Sequence, residues 1–178
     1  MTEWEGRTAD GVFAVQLEEQ VLKTLDRLCG EAGRKETGGI LIGRYSSDRS
    51  MATVLEATPP PSDSRRGRFW FVRGVNGLRE MLAGRWQAEE RTYYVGEWHF
   101  HPVDQVSPSG DDFRQMLDIG RAQAYDCKHP LLVIVGASRG QGFRPLRTFV
   151  CPSGKPPLEL MHSPGLFNAA PPRTERTS

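Results

Sequence analysis

The sequence predicts a single mixed α+β domain whose strands form a mixed sheet. Apolar stretches of strand length alternate with segments in which apolar residues recur at helical spacing. With 178 residues, of which 38% are hydrophobic, the chain is long enough to bury one core. Two predicted strands are separated only by residues 46–50, which indicates a hairpin embedded in the sheet. These observations together favour an α+β class over an all-α or all-β one.

The first 57 residues contain three predicted strands and the first helix. A short strand is predicted over 12–15 and a helix over 17–28, where four apolar residues lie on one helical face. Glycines at 30 and 33 end that helix. The apolar run 36–45 predicts a buried strand, and 51–57 predicts its hairpin partner.

Strands and helices continue to alternate from residue 68 onward. The predicted elements are an aromatic strand over 68–73, a helix over 75–90, a strand over 92–101, a helix over 111–124, a core strand over 131–135 and a last strand over 143–150. From Pro152 onward proline, glycine, serine and charged residues dominate. We therefore expect one domain over 1–162 and a disordered tail over 163–178.

Charge and cysteine content argue against several classes of protein. Lys and Arg number 23 and Asp and Glu 22, so the net charge is +1, and the short basic cluster at 65–68 is interpreted as a solvated loop. We therefore expect no nucleic-acid partner, since one would require a concentrated basic face. The three cysteines are far apart and odd in number, which favours reduced thiols and a cytoplasmic protein. The sequence shows neither a targeting segment nor a long apolar run, so we expect no membrane partner.

Two closely spaced histidines end the strand predicted over 92–101. Because side chains alternate along a strand, His99 and His101 point the same way, and Pro102 then ends the strand. The sequence PSGDD at 108–112 predicts a helix start that brings a carboxylate back beside the two imidazoles. Two histidines, one carboxylate and an open fourth position are typical of a catalytic zinc site.

Each of these signals also has a simpler interpretation. A His-x-His pair is often structural, and Ser109 followed three residues later by an acid is a common helix cap. Hydrolysis at a metal further requires a base, for which Glu36 is the candidate. A carboxylate that begins a buried strand is costly unless it faces a cleft or is paired. The alternative is that Glu36 is exposed within the charged run 34–36.

Taken together, these segments resemble the JAMM (JAB1/MPN/Mov34) metallopeptidase family. The family pattern is an upstream Glu, then His-x-His-Pro, six residues and Ser-x-x-Asp. The chain matches it with ETGGILIG at 36–43, VGEWHFHP at 95–102 and PSGDD at 108–112. The resemblance implies an MPN/JAB-like fold, a cytidine-deaminase-like three-layer arrangement in which helices flank a central mixed sheet.

The resemblance also assigns the site residues. It implies that His99, His101 and Asp112 bind one zinc ion per chain, and that Glu36 is the general acid and base. Ser109 is expected to hold the attacking water and the oxyanion, which is an electrostatic role.

The activity implied by the resemblance is that of a zinc-dependent isopeptidase. Its substrate would be a ubiquitin-like modifier, or a protein conjugated through its C-terminus, and it would release this from its target. The likeness is to small bacterial members found beside E1- and E2-like proteins, including those of antiphage defence operons of the CBASS type. We expect such proteins as partners. The alternatives are a JAMM peptidase for a linear ubiquitin-like or sulfur-carrier precursor, a non-haem iron oxygenase with a similar ligand set, and a non-catalytic MPN scaffold.

The resemblance further implies that the tail of the modifier lies along an exposed strand. The segment 65–73 is the candidate edge, with its backbone and the side chains of Arg66 and Arg68 as the expected contacts. The alternative is that Phe69 and Phe71 fill the core.

Overall fold

The computed structural model describes residues 3–103, 106–140 and 142–165. Its helices and strands, in chain order, are β1 Trp4–Arg7, β2 Ala14–Leu17, α1 Glu19–Ala32, β3 Thr37–Tyr45, β4 Met51–Ala57, β5 Arg65–Arg66, β6 Phe71–Val72, α2 Leu78–Gln87, β7 Tyr93–Phe100, α3 Gly110–Arg121, β8 Leu131–Val135, β9 Leu146–Val150 and β10 Leu158–His162. Within the described residues, none of the helices has the length and apolar character that a bilayer span requires.

Eight of these strands form one mixed sheet that closes on itself. The order is β1-β10-β9-β8-β7-β3-β4-β2, and β2 pairs with β1 to complete the ring. The β2–β4 and β7–β8 pairs are parallel and the other pairs are antiparallel. The predicted α+β class with a mixed sheet is therefore confirmed.

Closure of the sheet depends on two strands that the sequence pattern did not predict. β1 and β10 pair through Gly6 and His162, which are far apart in the chain. Both are short, with four and five residues, and each contains a charged residue, so neither gives a strong local strand signal. Their stability comes from cross-strand pairing, which a local pattern does not reveal.

Two hydrophobic cores lie on the two faces of the sheet, which gives the three layers that the resemblance implied. One core packs α1 against β2, β4, β7 and β8, and includes Trp98 and Phe100. The other packs α2 and α3 against β3, β7, β8 and β9, and includes Met116 and Ile134. β8 is apolar on both faces because both faces are covered.

The strand and helix predicted over 68–73 and 75–90 are only partly confirmed. Residues 65–72 form a separate two-stranded sheet, the β5–β6 hairpin, rather than a strand of the main sheet. Phe69 is 70% exposed, so the alternative that it fills the core is wrong. α2 spans Leu78–Gln87 and is therefore shorter than predicted, and Trp86 within it is 52% exposed. The strand over 68–73 was predicted from its aromatic residues, and aromatic content does not distinguish a core strand from an exposed hairpin.

The remaining helices and strands lie within a few residues of their predicted bounds. The last predicted strand, over 143–150, begins only at Leu146, and α1 extends to Ala32. All three cysteines are buried and free, as expected. Most of the predicted tail, 166–178, lies outside the described residues.

Adjacent glycines in β3 allow unusually close packing around this strand. A Cβ at Gly39 would lie 2.3 Å from the carbonyl oxygen of Thr58, and one at Gly38 would lie 2.4 Å from that of Trp98. Trp98 Nε1 in turn donates to the Thr58 carbonyl at 3.0 Å. Glycine is required here because any side chain would displace backbone of neighbouring segments.

We predict that Gly39→Ala lowers the free energy of unfolding by about 2 kcal/mol, because the added methyl group forces backbone apart in a packed sheet. Gly84→Ala, in α2, is the matched control, since nothing lies within 4 Å of a Cβ there. It should be neutral or stabilising by up to ~1 kcal/mol. Urea denaturation of both variants measures the difference. Equal stability of the two would show that β3 tolerates a side chain at position 39.

Candidate metal centre

β7 positions the first of the predicted ligands. His99 pairs with Gly38 of β3 on one side and with Ile134 of β8 on the other, and it is buried. Trp98 and Phe100 pack into the α1 core, so by alternation His99 faces the opposite side. His101 follows β7 directly, and its backbone N–H donates to the Val135 carbonyl at 2.9 Å. The two histidines therefore lie on one face, as predicted.

The N-terminus of α3 positions the carboxylate. Ser109 is the N-cap, and its hydroxyl accepts from the backbone N–H of Asp112 at 3.1 Å. The Asp112 carboxylate in return accepts from the Ser109 backbone N–H at 2.5 Å and from its hydroxyl at 2.7 Å. The capping box that was weighed against a catalytic role for Ser109 is thus present. It also aims Asp112 at the end of β7, so the two interpretations are compatible.

The three predicted ligands converge. One possible ligand atom from each of His99, His101 and Asp112 lies within 4.8 Å of the others. His99 Nδ1 is 2.6 Å from Asp112 Oδ1, and His101 Nε2 is 3.6 Å from Asp112 Oδ2. This is the scale on which three ligands surround one ion with bonds of about 2 Å.

Two features of the imidazoles fit a metal ion. His101 Nδ1 lies 2.9 Å from the carbonyl oxygen of Ser107, so this nitrogen is held as the donor and Nε2 keeps its lone pair. His99 Nε2 is buried and has no hydrogen-bond partner in the described part of the chain. A buried nitrogen without a partner is costly unless something else binds it.

The electrostatics favour the coordinating forms of these residues. Burial lowers the pKa of His101, which keeps its imidazole neutral at physiological pH. Burial alone would raise the pKa of Asp112. Hydrogen bonds from His99 and Ser109 outweigh it and lower that pKa to about 2. Asp112 is therefore an anion and the His101 imidazole is neutral at physiological pH, which are the forms that bind a metal ion.

Glu36 lies at the same end of the sheet. It directly precedes Thr37, which pairs with Phe100, so it stands beside the end of β7 where His101 follows. Burial, and secondly the charge of Asp112, raise the pKa of Glu36 to about 7, while His99 partly opposes this. Glu36 is half-buried, so the alternative that it is exposed within the charged run is wrong. A group with this pKa can accept and return a proton near neutral pH.

The β5–β6 hairpin borders the metal centre. The Phe71 ring meets His99 edge-on, with centroids 5.6 Å apart and planes at 78°. The backbone N–H of Glu36 donates to the Gly67 carbonyl at 2.8 Å. Phe69, Trp70 and Val72 are exposed, so the hairpin presents an apolar surface beside the site.

Sequence reasoning missed one buried ion pair next to the site. Arg73, which follows β6, donates to Glu97 of β7 at 2.7 Å. The signal was present, because Glu97 is a charged residue in an otherwise apolar strand two positions before His99. Its partner could not be identified from the sequence pattern.

Comparison with known proteins shows to which protein family this chain is similar. The family model described as prokaryotic homologs of the JAB domain matches residues 18–149. A protein of Enterobacter hormaechei named CD-NTase/cGAS isopeptidase is 44% identical over 149 residues, 84% of this chain and 81% of that protein. A Pseudomonas aeruginosa protein of the same name is 34% identical over 102 residues, 57% of this chain and 63% of that protein.

A solved structure has a similar fold. A solution structure of a Desulfitobacterium hafniense protein matches with a TM-score of 0.56 and 17% identity, over 83% of this chain and 88% of that one. This likeness concerns the fold alone. The chain belongs to the JAB domain family, in its prokaryotic branch. The predicted resemblance is thereby confirmed, and membership in this family disfavours the iron oxygenase alternative.

We predict that Asp112→Ala abolishes metal binding and that Asp111→Ala does not. Asp112 lies among the imidazoles, whereas Asp111 is exposed and pairs with Arg114. Metal content per chain, measured by elemental analysis after dialysis against zinc, distinguishes the two aspartates. Asp112→Asn is the structural control, because its side-chain oxygen can still accept from the Ser109 backbone N–H while the negative charge is removed. Metal loss in Asp111→Ala alone would place the ligand one residue earlier.

Proposed function

We propose that this protein is a zinc-dependent isopeptidase. It hydrolyses the bond between the C-terminus of a conjugated protein and an amine of the target. The single observation on which this rests is the convergence of His99, His101 and Asp112 with Glu36, whose pKa is close to neutral, at one end of β3 and β7. By likeness to the two relatives, the conjugated protein is of the CD-NTase/cGAS type. The setting is an antiphage defence pathway whose E1- and E2-like proteins form the conjugate.

His99, His101 and Asp112 would hold the zinc ion, and three protein ligands leave a fourth position open. When bound, zinc supplies a Lewis acid that polarises the scissile carbonyl and makes water more acidic. Ser107 and Ser109 support this ligand set. The first orients His101 through its carbonyl, and the second holds Asp112 through its hydroxyl and backbone N–H.

Glu36 moves the proton during hydrolysis. Its carboxylate accepts a proton from the attacking water as the water oxygen bonds to the carbonyl carbon. It then returns that proton to the amine nitrogen as the carbon–nitrogen bond breaks. Burial raises the pKa of Glu36 above that of a solvated carboxyl group, which favours both steps because the group must be a base first and an acid afterwards.

Ser109 stabilises the negative charge that develops on the carbonyl oxygen. Its hydroxyl is exposed at the N-terminus of α3, where the partial positive charge of the helix end favours an anion. The same hydroxyl donates to Asp112 Oδ2 at 2.7 Å, so it must rotate to donate to the oxyanion. Rotation about one bond is sufficient for a serine hydroxyl.

The tail of the conjugated protein lies along the β5–β6 hairpin. This hairpin is outside the main sheet and beside His99, so its backbone is available for an added strand. Arg66 and Arg68 are exposed on it, and the Arg68 guanidinium lies 5.2 Å from the Phe69 ring centroid. Exposed aromatic and cationic side chains on an extended segment suit recognition of a peptide.

Glu36→Gln should keep zinc and lose hydrolysis. The amide cannot accept the proton of the attacking water, so we expect kcat to fall by at least ~10²-fold. Zinc content should stay near that of the unmodified protein, because Glu36 is not among the clustered ligand atoms. Both are measured on one preparation, with an isopeptide-linked conjugate as substrate and a linear peptide fusion beside it. Loss of zinc together with activity would make Glu36 a ligand or a structural residue.

Charge reversal in Arg66→Glu/Arg68→Glu should raise KM for a protein conjugate and leave zinc content unchanged. Lys23→Glu/Arg27→Glu is the matched control. It makes the same change in charge on the exposed side of α1, whose core lies on the other face of the sheet from His99. Steady-state kinetics on the same conjugate compare the two variants. Unchanged kinetics in Arg66→Glu/Arg68→Glu would remove this hairpin from the substrate site.

A further inference from the structure

We propose that Arg73 and Glu97 form a positioning pair that holds the β5–β6 hairpin against β7 and thereby sets the affinity for the conjugated protein. This inference rests on the proposed function for its kinetic consequence. The structural part, that the pair holds the hairpin, stands independently and has its own measurement.

The pair joins the hairpin to the strand of the metal ligands. Arg73 is the residue after β6, and Glu97 precedes His99 by two positions in β7. Arg73 Nε donates to Glu97 Oε2 at 2.7 Å, and the two side chains are 5% and 0% exposed. A salt bridge so deeply buried is not screened as a surface pair is.

Surrounding groups satisfy both side chains. Arg73 Nη1 donates to the Gly74 carbonyl at 2.8 Å, and Nη2 donates to the Tyr125 hydroxyl at 2.7 Å. Glu97 Oε1 accepts from the Tyr94 hydroxyl at 3.0 Å. The rings of Tyr94 and Tyr125 are themselves in contact, with centroids 4.7 Å apart. Three parts of the chain therefore fix the position of the guanidinium: β7, the segment between β6 and α2, and the loop after α3.

An ion pair in this position fixes how the hairpin is aligned with β7 more than it raises the stability of the fold. Well-packed apolar residues of similar volume are often at least as stabilising as a buried pair, whereas a charged pair admits only one alignment of its partners. Alignment matters here because an isolated two-stranded hairpin is marginally stable in water. The β5–β6 hairpin is outside the main sheet, so contacts at its ends must hold it.

Two contacts connect the position of the hairpin to the candidate metal centre. Phe71, two residues before Arg73, packs edge-on against His99. Gly67, at the other end of the hairpin, accepts the backbone N–H of Glu36. Release of Arg73 would free the hairpin strand that borders His99, while the pairing of β7 with β3 and β8 would keep the histidines in place. The expected defect is therefore in substrate binding rather than in the metal centre.

Three variants test the pair. Arg73→Lys keeps the charge but cannot reach both Glu97 and Tyr125 in the same planar geometry. Glu97→Gln removes the charge and keeps the shape. Tyr125→Phe removes only the hydroxyl that accepts from Arg73, and it is the mildest change should the others fold poorly. Arg85→Lys and Glu56→Gln are matched controls, since that Arg–Glu pair has two hydrogen bonds of 2.9 Å but is exposed.

We expect KM for a protein conjugate to rise about tenfold in Arg73→Lys and in Glu97→Gln, because misplacement of a binding strand weakens substrate positioning. Tyr125→Phe should show a smaller rise, whereas kcat and zinc content should stay close to those of the unmodified protein. The Arg85 and Glu56 controls should leave KM unchanged. Loss of zinc or a fall in kcat at unchanged KM would overturn the proposal, because the pair would then act on the histidines.

Hydrogen exchange tests the structural part without any substrate. Amides of residues 65–72 should exchange faster in the three variants, while those of β7 and β8 keep their protection. Uniform loss of protection across the sheet, or none in the hairpin, would overturn the proposal. If the unmodified protein cleaves no conjugate but the hairpin is loosened as expected, the proposed function fails and the positioning role stands.

Discussion

The antiparallel pairing of β3 with β7 brings the chemically important residues together. It sets Gly38 opposite His99 and Thr37 opposite Phe100, so Glu36 stands beside the end of β7 from which His101 follows. The close approach requires glycine, because a Cβ at Gly38 would lie 2.4 Å from the Trp98 carbonyl. The positions of Glu36 and of the two histidines thus depend on one strand pairing and on small residues within it.

The helix cap of α3 positions the carboxylate of the candidate metal centre, so a feature that stabilises the helix also shapes the site. The Ser109 hydroxyl and backbone N–H hold the Asp112 carboxylate, and the same bonds lower its pKa to about 2. A residue that satisfies free N–H groups at a helix start therefore also fixes an anion beside two imidazoles. The same hydrogen bonds therefore cap the helix and hold Asp112 beside the histidines.

Opposite electrostatic effects shift the pKa values of two neighbouring carboxyl groups in opposite directions. Hydrogen bonds keep Asp112 ionised, whereas burial and the charge of Asp112 raise the pKa of Glu36 to about 7. Two carboxyl groups with pKa values driven apart by their surroundings are suited to different roles, one as ligand and one as proton carrier. The Arg73–Glu97 pair adds a third, structural use of a buried carboxylate in the same region.

The sequence by itself determined what depends on local order. Alternation along β7 placed His99 and His101 on one face, and the spacing from Ser109 to Asp112 marked the start of α3, because both are short-range consequences of backbone geometry. Only the tertiary structure decided which distant segments pair. Ring closure through β1 and β10, the exposed β5–β6 hairpin and the partner of Glu97 all arise from contacts between residues far apart in the chain. A local pattern does not contain such contacts, because their free energy exists only once the chain has folded.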